Sequence, residues 1–324
     1  MNRSSQRHET TGLAAHYGVE EMNVHSVPPT AMPTAKTMTV DGIETFYHVA
    51  GSGEPIVFVY GGNFGSPESA SSAHVWNLNF VPLAERFQVI AFDKIGQGFS
   101  ANPLRDEDYT MAAVVRHAAA FIAALKLPPV HIVGHSRGGF AAVRIALEYP
   151  HLVRSVTIVS SGTLSPRVGT NDVALAACPH PPYTRESGRW IYEGYCFSPK
   201  SVTEDWIERV YEVLQLPKYR ESVRKMIDEQ LGARFFVPEL AKQKRETLQW
   251  LREGRLQRPT QIMFGRNDPT VATEGAFDLF EMIGAHQRKT EVHIFNQAGH
   301  FSYREHPARF NALLGGFVDL VDRW

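Results

Sequence analysis

Residues 130–139 read Val-His-Ile-Val-Gly-His-Ser-Arg-Gly-Gly, an apolar run that enters Gly134-x-Ser136-x-Gly138 and continues into a helical segment. A serine on a sharp strand-to-helix turn is held in strained backbone, and its neighbours must be small to avoid collision. Gly134, Gly138 and Gly139 supply that space. The start of the following helix sets N–H groups and a positive dipole end beside Ser136. Nucleophilic attack is the chemistry such a turn serves. A serine hydroxyl is a weak nucleophile and needs a base, which a third group must orient. Phe264-Gly265-Arg266-Asn267-Asp268-Pro269 places Asp268 in the loop after one apolar run, and Asn296-Gln297-Ala298-Gly299-His300-Phe301 places His300 after the next. All three residues follow strand-like runs, at the edge where parallel sheets build sites. Among 14 histidines, His300 is singled out by chain order, strand context and the adjoining Gly299. Asp268 also has a plainer reading, as the turn former of Asn-Asp-Pro.

Attack on a carbonyl generates an oxyanion, which needs two preset N–H donors. Val57-Phe58-Val59-Tyr60-Gly61-Gly62-Asn63-Phe64-Gly65 closes an apolar strand with a glycine-rich loop. The N–H of Arg137 and one from Gly62 or Asn63 are the candidate donors. No Gly-Lys-Ser/Thr follows, so the loop is not a phosphate-binding Walker loop. Asp93-Lys94-Ile95-Gly96-Gln97-Gly98-Phe99-Ser100 is a further turn after a strand, and its aspartate reads as structural.

The elements that must position these residues are legible as alternation. Thr37–Val40 and Glu44–Val49 flank the hairpin signal Asp41-Gly42. Ile56–Tyr60, Val89–Phe92, Val130–Val133 and Val156–Ser160 are short apolar runs of the kind that form buried parallel strands. Helical stretches near 74–86, 110–126 and 137–149 separate them, which predicts right-handed crossovers and an α/β fold with helices on both faces of a mostly parallel sheet. From 162 to 255 the strand rhythm stops, and amphipathic segments such as Thr203–Gln215 and Tyr219–Leu231 take over. It resumes with Thr260–Phe264, a helix near 271–285, Glu291–Phe295 and a last helix near 306–321. The expected organisation is a polar N-terminal arm over 1–35, a core over 36–161 and 256–324, and a helical lid inserted over 162–255.

Composition narrows the partners. Lys plus Arg is 33 and Asp plus Glu is 34 in 324 residues, a net charge of −1, so no basic field exists to hold nucleic acid or anionic lipid. No run approaches the apolar length of a membrane helix, and the N-terminus lacks an apolar signal region. Two cysteines, Cys178 and Cys196, are too few for a disulfide framework and show no zinc spacing. The expectation is a soluble cytoplasmic protein with reduced thiols that acts on a small molecule, with a homodimer as the oligomer to consider.

Taken together, the glycine loop, Asp-x-x-Gly-x-Gly-x-Ser, Gly-His-Ser-Arg-Gly, the late aspartate and Gly-His resemble the α/β-hydrolase family over residues 37–324. Within it the chain looks most like the meta-cleavage product hydrolases, which cut carbon–carbon bonds in ring-fission products of aromatic compounds. Ala298–Asn311 tracks that group's C-terminal segment, and Val202-Thr203-Glu204-Asp205-Trp206 matches part of its lid in character. The resemblance implies a Ser136, Asp268, His300 triad and neither metal nor organic cofactor. Four positions depart from the group. Tyr60 stands where His usually precedes the glycine loop, His135 replaces a frequent Asn, and Phe301 a frequent Trp. The group's lid arginine, which holds a substrate carboxylate, aligns with Val210, so Arg209 is one residue out of register. His135, Tyr195, Arg209 and Phe301 are the candidate substrate contacts. The resemblance favours hydrolysis of a carbon–carbon bond in a vinylogous diketone acid. The alternatives are a carboxylesterase acting on a small hydrophobic ester and, third, a hydrolase-fold binding protein without catalysis.

Overall fold

A computed structural model describes residues 31–167 and 177–323. Most of the expected N-terminal arm, residues 1–30, lies outside the described residues, as does part of the expected lid, 168–176.

Eight strands form one sheet: β1 Lys36–Val40, β2 Ile43–Ala50, β3 Pro55–Val59, β4 Gln88–Phe92, β5 Val130–His135, β6 Val153–Val159, β7 Thr260–Gly265 and β8 Thr290–Phe295. Their order is β1-β2-β4-β3-β5-β6-β7-β8. β1 and β2 pair antiparallel through the Asp41-Gly42 turn, β2 pairs antiparallel with β4, and every pair from β4 onward is parallel. The reason lies in side-chain chemistry. β3 and β5 are buried at every residue, the pattern of a strand covered on both faces, whereas β1, at the sheet's edge, is exposed at Lys36, Thr37 and Thr39 and buried only at Val40.

The helices are α1 Asn77–Ala84, α2 Met111–Ala124, α3 Arg137–Glu148, α4 Arg185–Tyr195, α5 Glu204–Gln215, α6 Pro217–Ile227, α7 Val237–Arg252, α8 Glu274–Gly284, α9 Ser302–Glu305 and α10 Pro307–Leu320. Two apolar cores lie on opposite faces of the sheet. One joins Val57, Ile90 and Ile132 to α2, α3 and α8, and the other joins Ile56, Phe58 and Val133 to α1, α5 and α10. The chain therefore has the mostly parallel sheet with helices on both faces that its strand rhythm predicted, in the α/β-hydrolase arrangement that the resemblance implied. The expected final helix over 306–321 is α10, and the short α9 precedes it, separated from it at His306-Pro307. Proline disfavours helical geometry in the residue before it, and His306 sits at φ −132°, ψ 59°. α4 to α7 all fall between β6 and β7, where the strand pattern stopped.

Candidate active site

Ser136 links β5 to α3 at φ 55°, ψ −122°, a left-handed conformation that only close packing sustains in a non-glycine residue. Its N–H donates to the Val159 carbonyl at 2.8 Å, which pins the turn to β6. The flanking glycines are demanded by contact. A Cβ on Gly134 would lie 2.2 Å from the Gly138 carbonyl oxygen, and one on Gly138 only 2.1 Å from that of Val59. Neither backbone can retreat, because both belong to the sheet and the helix packed on it.

Asp268 and His300 are joined across the ends of β7 and β8. Oδ2 of Asp268 lies 2.7 Å from Nδ1 of His300, and the aspartate side chain is wholly buried. Oδ1 accepts from the Thr270 N–H at 2.8 Å, the Thr270 hydroxyl at 2.8 Å and the Val271 N–H at 3.3 Å. Those bonds hold the carboxylate in one rotamer, with Oδ2 aimed at the imidazole. The Nδ1–H tautomer follows, and Nε2 is left with its lone pair. The loop carrying His300 is held in turn: its N–H donates to the Tyr195 carbonyl at 2.9 Å. Glu305 accepts from the N–H of Gly299 at 2.6 Å, of Phe197 at 2.8 Å and of Ser198 at 3.1 Å, so one carboxylate ties the His300 loop to the end of α4.

Ser136 and His300 line the same cavity of about 580 Å³. Gly61, Gly62 and Arg137 line it beside Ser136, and a Cβ on Gly61 would stand 3.0 Å from that of Ser136. Of the two loop residues considered as oxyanion donors, Gly62 lies on the cavity and Asn63 does not. The Asn63 side chain turns back to accept from the Gly65 N–H at 3.1 Å, capping the loop.

Three of the four expected substrate contacts line this cavity. His135 is fully buried, and its Nε2 lies 3.0 Å from the His300 carbonyl, which can only accept, so His135 carries its proton on Nε2. Burial first, and the neighbouring His300 second, push its pKa well below the ordinary histidine value and keep it neutral. Tyr195 stacks on the His300 ring at 5.2 Å, and Phe301 packs against His135 at 4.9 Å and Trp206 at 5.0 Å. Arg209 is the correction. It pairs with Glu212 at 2.6 Å, its guanidinium lies 5.7 Å from the Phe99 ring, and it is not among the cavity's lining residues. Val210 is the buried residue on that turn of α5, and one residue is a rotation of about 100°, which carries Arg209 away from the interior.

The cations that do line the cavity are Arg137, Arg167 and Lys244, and no Asp or Glu is among its described lining residues. Arg167 is bound to Asp278 at 2.6 Å. Lys244 is half-buried on α7, and burial lowers its pKa. Sequence reasoning did not find Lys244, because α7 has no motif and its register against the core is set only by folding. Thr270 was also missed, although Asp-Pro-Thr is a recognisable turn in which the residue two places on returns a bond to the aspartate. Cys178 and Cys196 are both unpaired. No helix among the described residues is long and apolar enough to cross a membrane.

Comparison with known proteins agrees with this architecture. Residues 54–187 match the family model described as the alpha/beta hydrolase fold. The 2-hydroxymuconate semialdehyde hydrolase of Pseudomonas sp. (strain CF600) is 26% identical over 297 residues, covering 92% of this chain and 98% of that protein. The 2-hydroxy-6-oxo-2,4-heptadienoate hydrolase of Pseudomonas putida is 26% identical over 282 residues, covering 87% and 95%. The crystal structure of a variant of the meta-cleavage product hydrolase CumD superposes with a TM-score of 0.69 at 25% identity, covering 88% of this chain and 97% of that one. A strained serine at the end of β5, an Asp–His pair at the ends of β7 and β8, and likeness running through nearly the whole described chain lead to one assignment: this protein is a hydrolase of the α/β-hydrolase fold, similar to the meta-cleavage product hydrolases.

Proposed function

We propose that the protein hydrolyses a carbon–carbon bond in a vinylogous diketone acid, a ring-fission product of aromatic catabolism, with Ser136, His300 and Asp268 as its triad. The observation that carries the reading is the cavity itself. It brings Ser136 and His300 together with Arg137 and Lys244, and with an Arg167 already paired with Asp278, and no carboxylate is among its described lining residues. Such a wall suits an anionic substrate better than a neutral ester. The names of the similar hydrolases support the same class.

After ketonisation of the dienol, His300 Nε2 takes the Ser136 hydroxyl proton as Oγ adds to the carbonyl. Asp268 stabilises the imidazolium through the 2.7 Å bond. The N–H groups of Gly62 and Arg137 receive the oxyanion. The scissile carbon–carbon bond then breaks, its electron pair entering the conjugated acid as an enolate, which takes the proton from His300. Water, activated by the same imidazole, releases the acyl group from Ser136. Helices α4 to α7 act as the lid, since Tyr192, Tyr195 and Lys244 supply one wall of the cavity. Lys244 is the cation to meet the substrate's carboxylate in place of Arg209.

The test is a parallel assay of purified protein on yellow ring-fission dienoates and on p-nitrophenyl esters of graded chain length. Higher kcat/KM on the dienoates by orders of magnitude supports the reading. A preference for esters replaces it with carboxylesterase activity, and binding without turnover replaces it with a non-catalytic role.

A further inference from the structure

The turn after β4 carries a lysine in an unusual position. Lys94 is 1% exposed, and among the described residues no carboxylate lies within ion-pairing distance of its Nζ. Instead Nζ donates to the Gly61 carbonyl at 2.8 Å and lies 4.5 Å from the centre of the Tyr60 ring. The adjoining Asp93 is occupied elsewhere, accepting from the N–H of Ala73 at 2.6 Å and of Phe99 at 2.7 Å. Burying a lysine amine without a counter-ion is costly: burial first and Arg137 second push its pKa well below the ordinary lysine value, and an apolar side chain would fill the same space more cheaply.

We propose that Lys94 is a positioning residue whose amino group holds the Gly61 carbonyl and so aims and strengthens the Gly62 N–H as an oxyanion donor. The inference rests on the reading of Ser136 as nucleophile. A trans peptide is planar, with its C=O and N–H pointing to opposite sides, and the chain has no cis bond among the described residues. Fixing the Gly61 oxygen from one side therefore fixes the Gly62 hydrogen on the other, and Gly62 faces the cavity beside Ser136. The Gly61-Gly62 unit is otherwise poorly restrained: glycine lacks a side chain to lock it, and Gly62 adopts φ +83°. A donor at the carbonyl also polarises the amide, so its N–H bonds more strongly to a developing negative charge. Tyr60 completes the support. Its hydroxyl accepts from the Lys94 backbone N–H at 3.3 Å, and its ring lies beneath Nζ. The tyrosine that departs from the histidine of similar enzymes is thus the platform for the lysine.

Lys94→Met keeps the length of the side chain and removes the donor, and Lys94→Gln restores a neutral donor. Lys94→Met is expected to lower kcat by about 10- to 100-fold with KM changed by less than about twofold, below the loss for outright removal of an oxyanion donor. Affinity for a boronic acid that forms a tetrahedral anion on Ser136 should fall by the same factor as kcat/KM, and Lys94→Gln should recover part of both. An unchanged kcat, a kcat loss without loss of boronate affinity, or failure of both variants to fold would each overturn the proposal, the last by marking Lys94 as structural. Fluorophosphonate labelling of the wild type separates the two readings. Labelling at Ser136 with a fully active Lys94→Met removes only the role of Lys94, whereas labelling elsewhere removes the nucleophile assignment as well.

Discussion

Replacing Asp268 by asparagine should cost about four orders of magnitude in kcat, and the structure says why the amide cannot adapt. Oδ1 faces three donors, the Thr270 N–H and hydroxyl at 2.8 Å each and the Val271 N–H at 3.3 Å. An asparagine must keep its oxygen there, because an NH2 group in that place would face the Thr270 and Val271 backbone N–H donors, which can only donate. Its NH2 is then forced toward His300 Nδ1, where the carboxylate oxygen stood at 2.7 Å. The imidazole answers by carrying its proton on Nε2, which leaves no lone pair for the Ser136 proton. The imidazolium formed in the transition state also loses its counter-charge. A loss of about 10⁴ in kcat corresponds to about 5.5 kcal/mol of transition-state stabilisation, the scale reached when a triad histidine is trapped in the wrong tautomer. Stopped-flow turnover of a dienoate or an activated ester measures it. The low-field Nδ1–H proton resonance of the wild type should vanish in the variant. A folded Asp268→Asn protein that keeps more than a tenth of wild-type kcat would refute the reasoning and leave Asp268 as a turn former.

Ser136→Ala should be inactive at unchanged melting temperature and should no longer take up a fluorophosphonate probe, since alanine tolerates the same turn. Retained activity would move the nucleophile elsewhere. Lys244→Met should raise KM for an anionic dienoate by about 10- to 150-fold, the range of one lost charge-assisted bond, and leave a neutral ester nearly unaffected. Arg209→Leu, acting on a side chain paired with Glu212, should change either substrate by less than about twofold. Equal effects of Lys244→Met on both substrates would exclude it as the carboxylate partner. Acid should destabilise the fold through His117 and His131, both buried and both lowered by burial to a pKa of about 4. An unfolded chain titrates them near 6.5, so stability is fully present above pH 6.5 and is lost as pH falls from there toward 4. Each histidine accounts for about 2 kcal/mol at pH 5. A melting temperature that does not fall between pH 7.5 and pH 5 would contradict this, and His131→Asn should flatten part of the slope.

Sequence alone determined the strands and their alternation with helices, because buried parallel strands need unbroken apolar runs and a crossover needs a helix between them. It determined Ser136 as well. The glycines around that residue are required by backbone contacts closer than a methyl group allows, and such a constraint is written locally. Chain order and strand ends place Asp268 and His300 at the same edge of the sheet. What the tertiary structure decided is direction. Arg209 and Val210 differ by one step along α5, and only the packing of that helix against the core sends the valine inward and the arginine to Glu212. Asn63 and Gly62 likewise separate only when the loop closes and the asparagine caps Gly65. Lys244 reaches the cavity, and Lys94 the Gly61 carbonyl, across contacts between segments distant in sequence. A lysine in a sequence carries no mark of its burial, since the free energy that permits it comes from partners supplied by other elements. Side-chain type is local information, whereas the partner of a side chain is set by the whole fold.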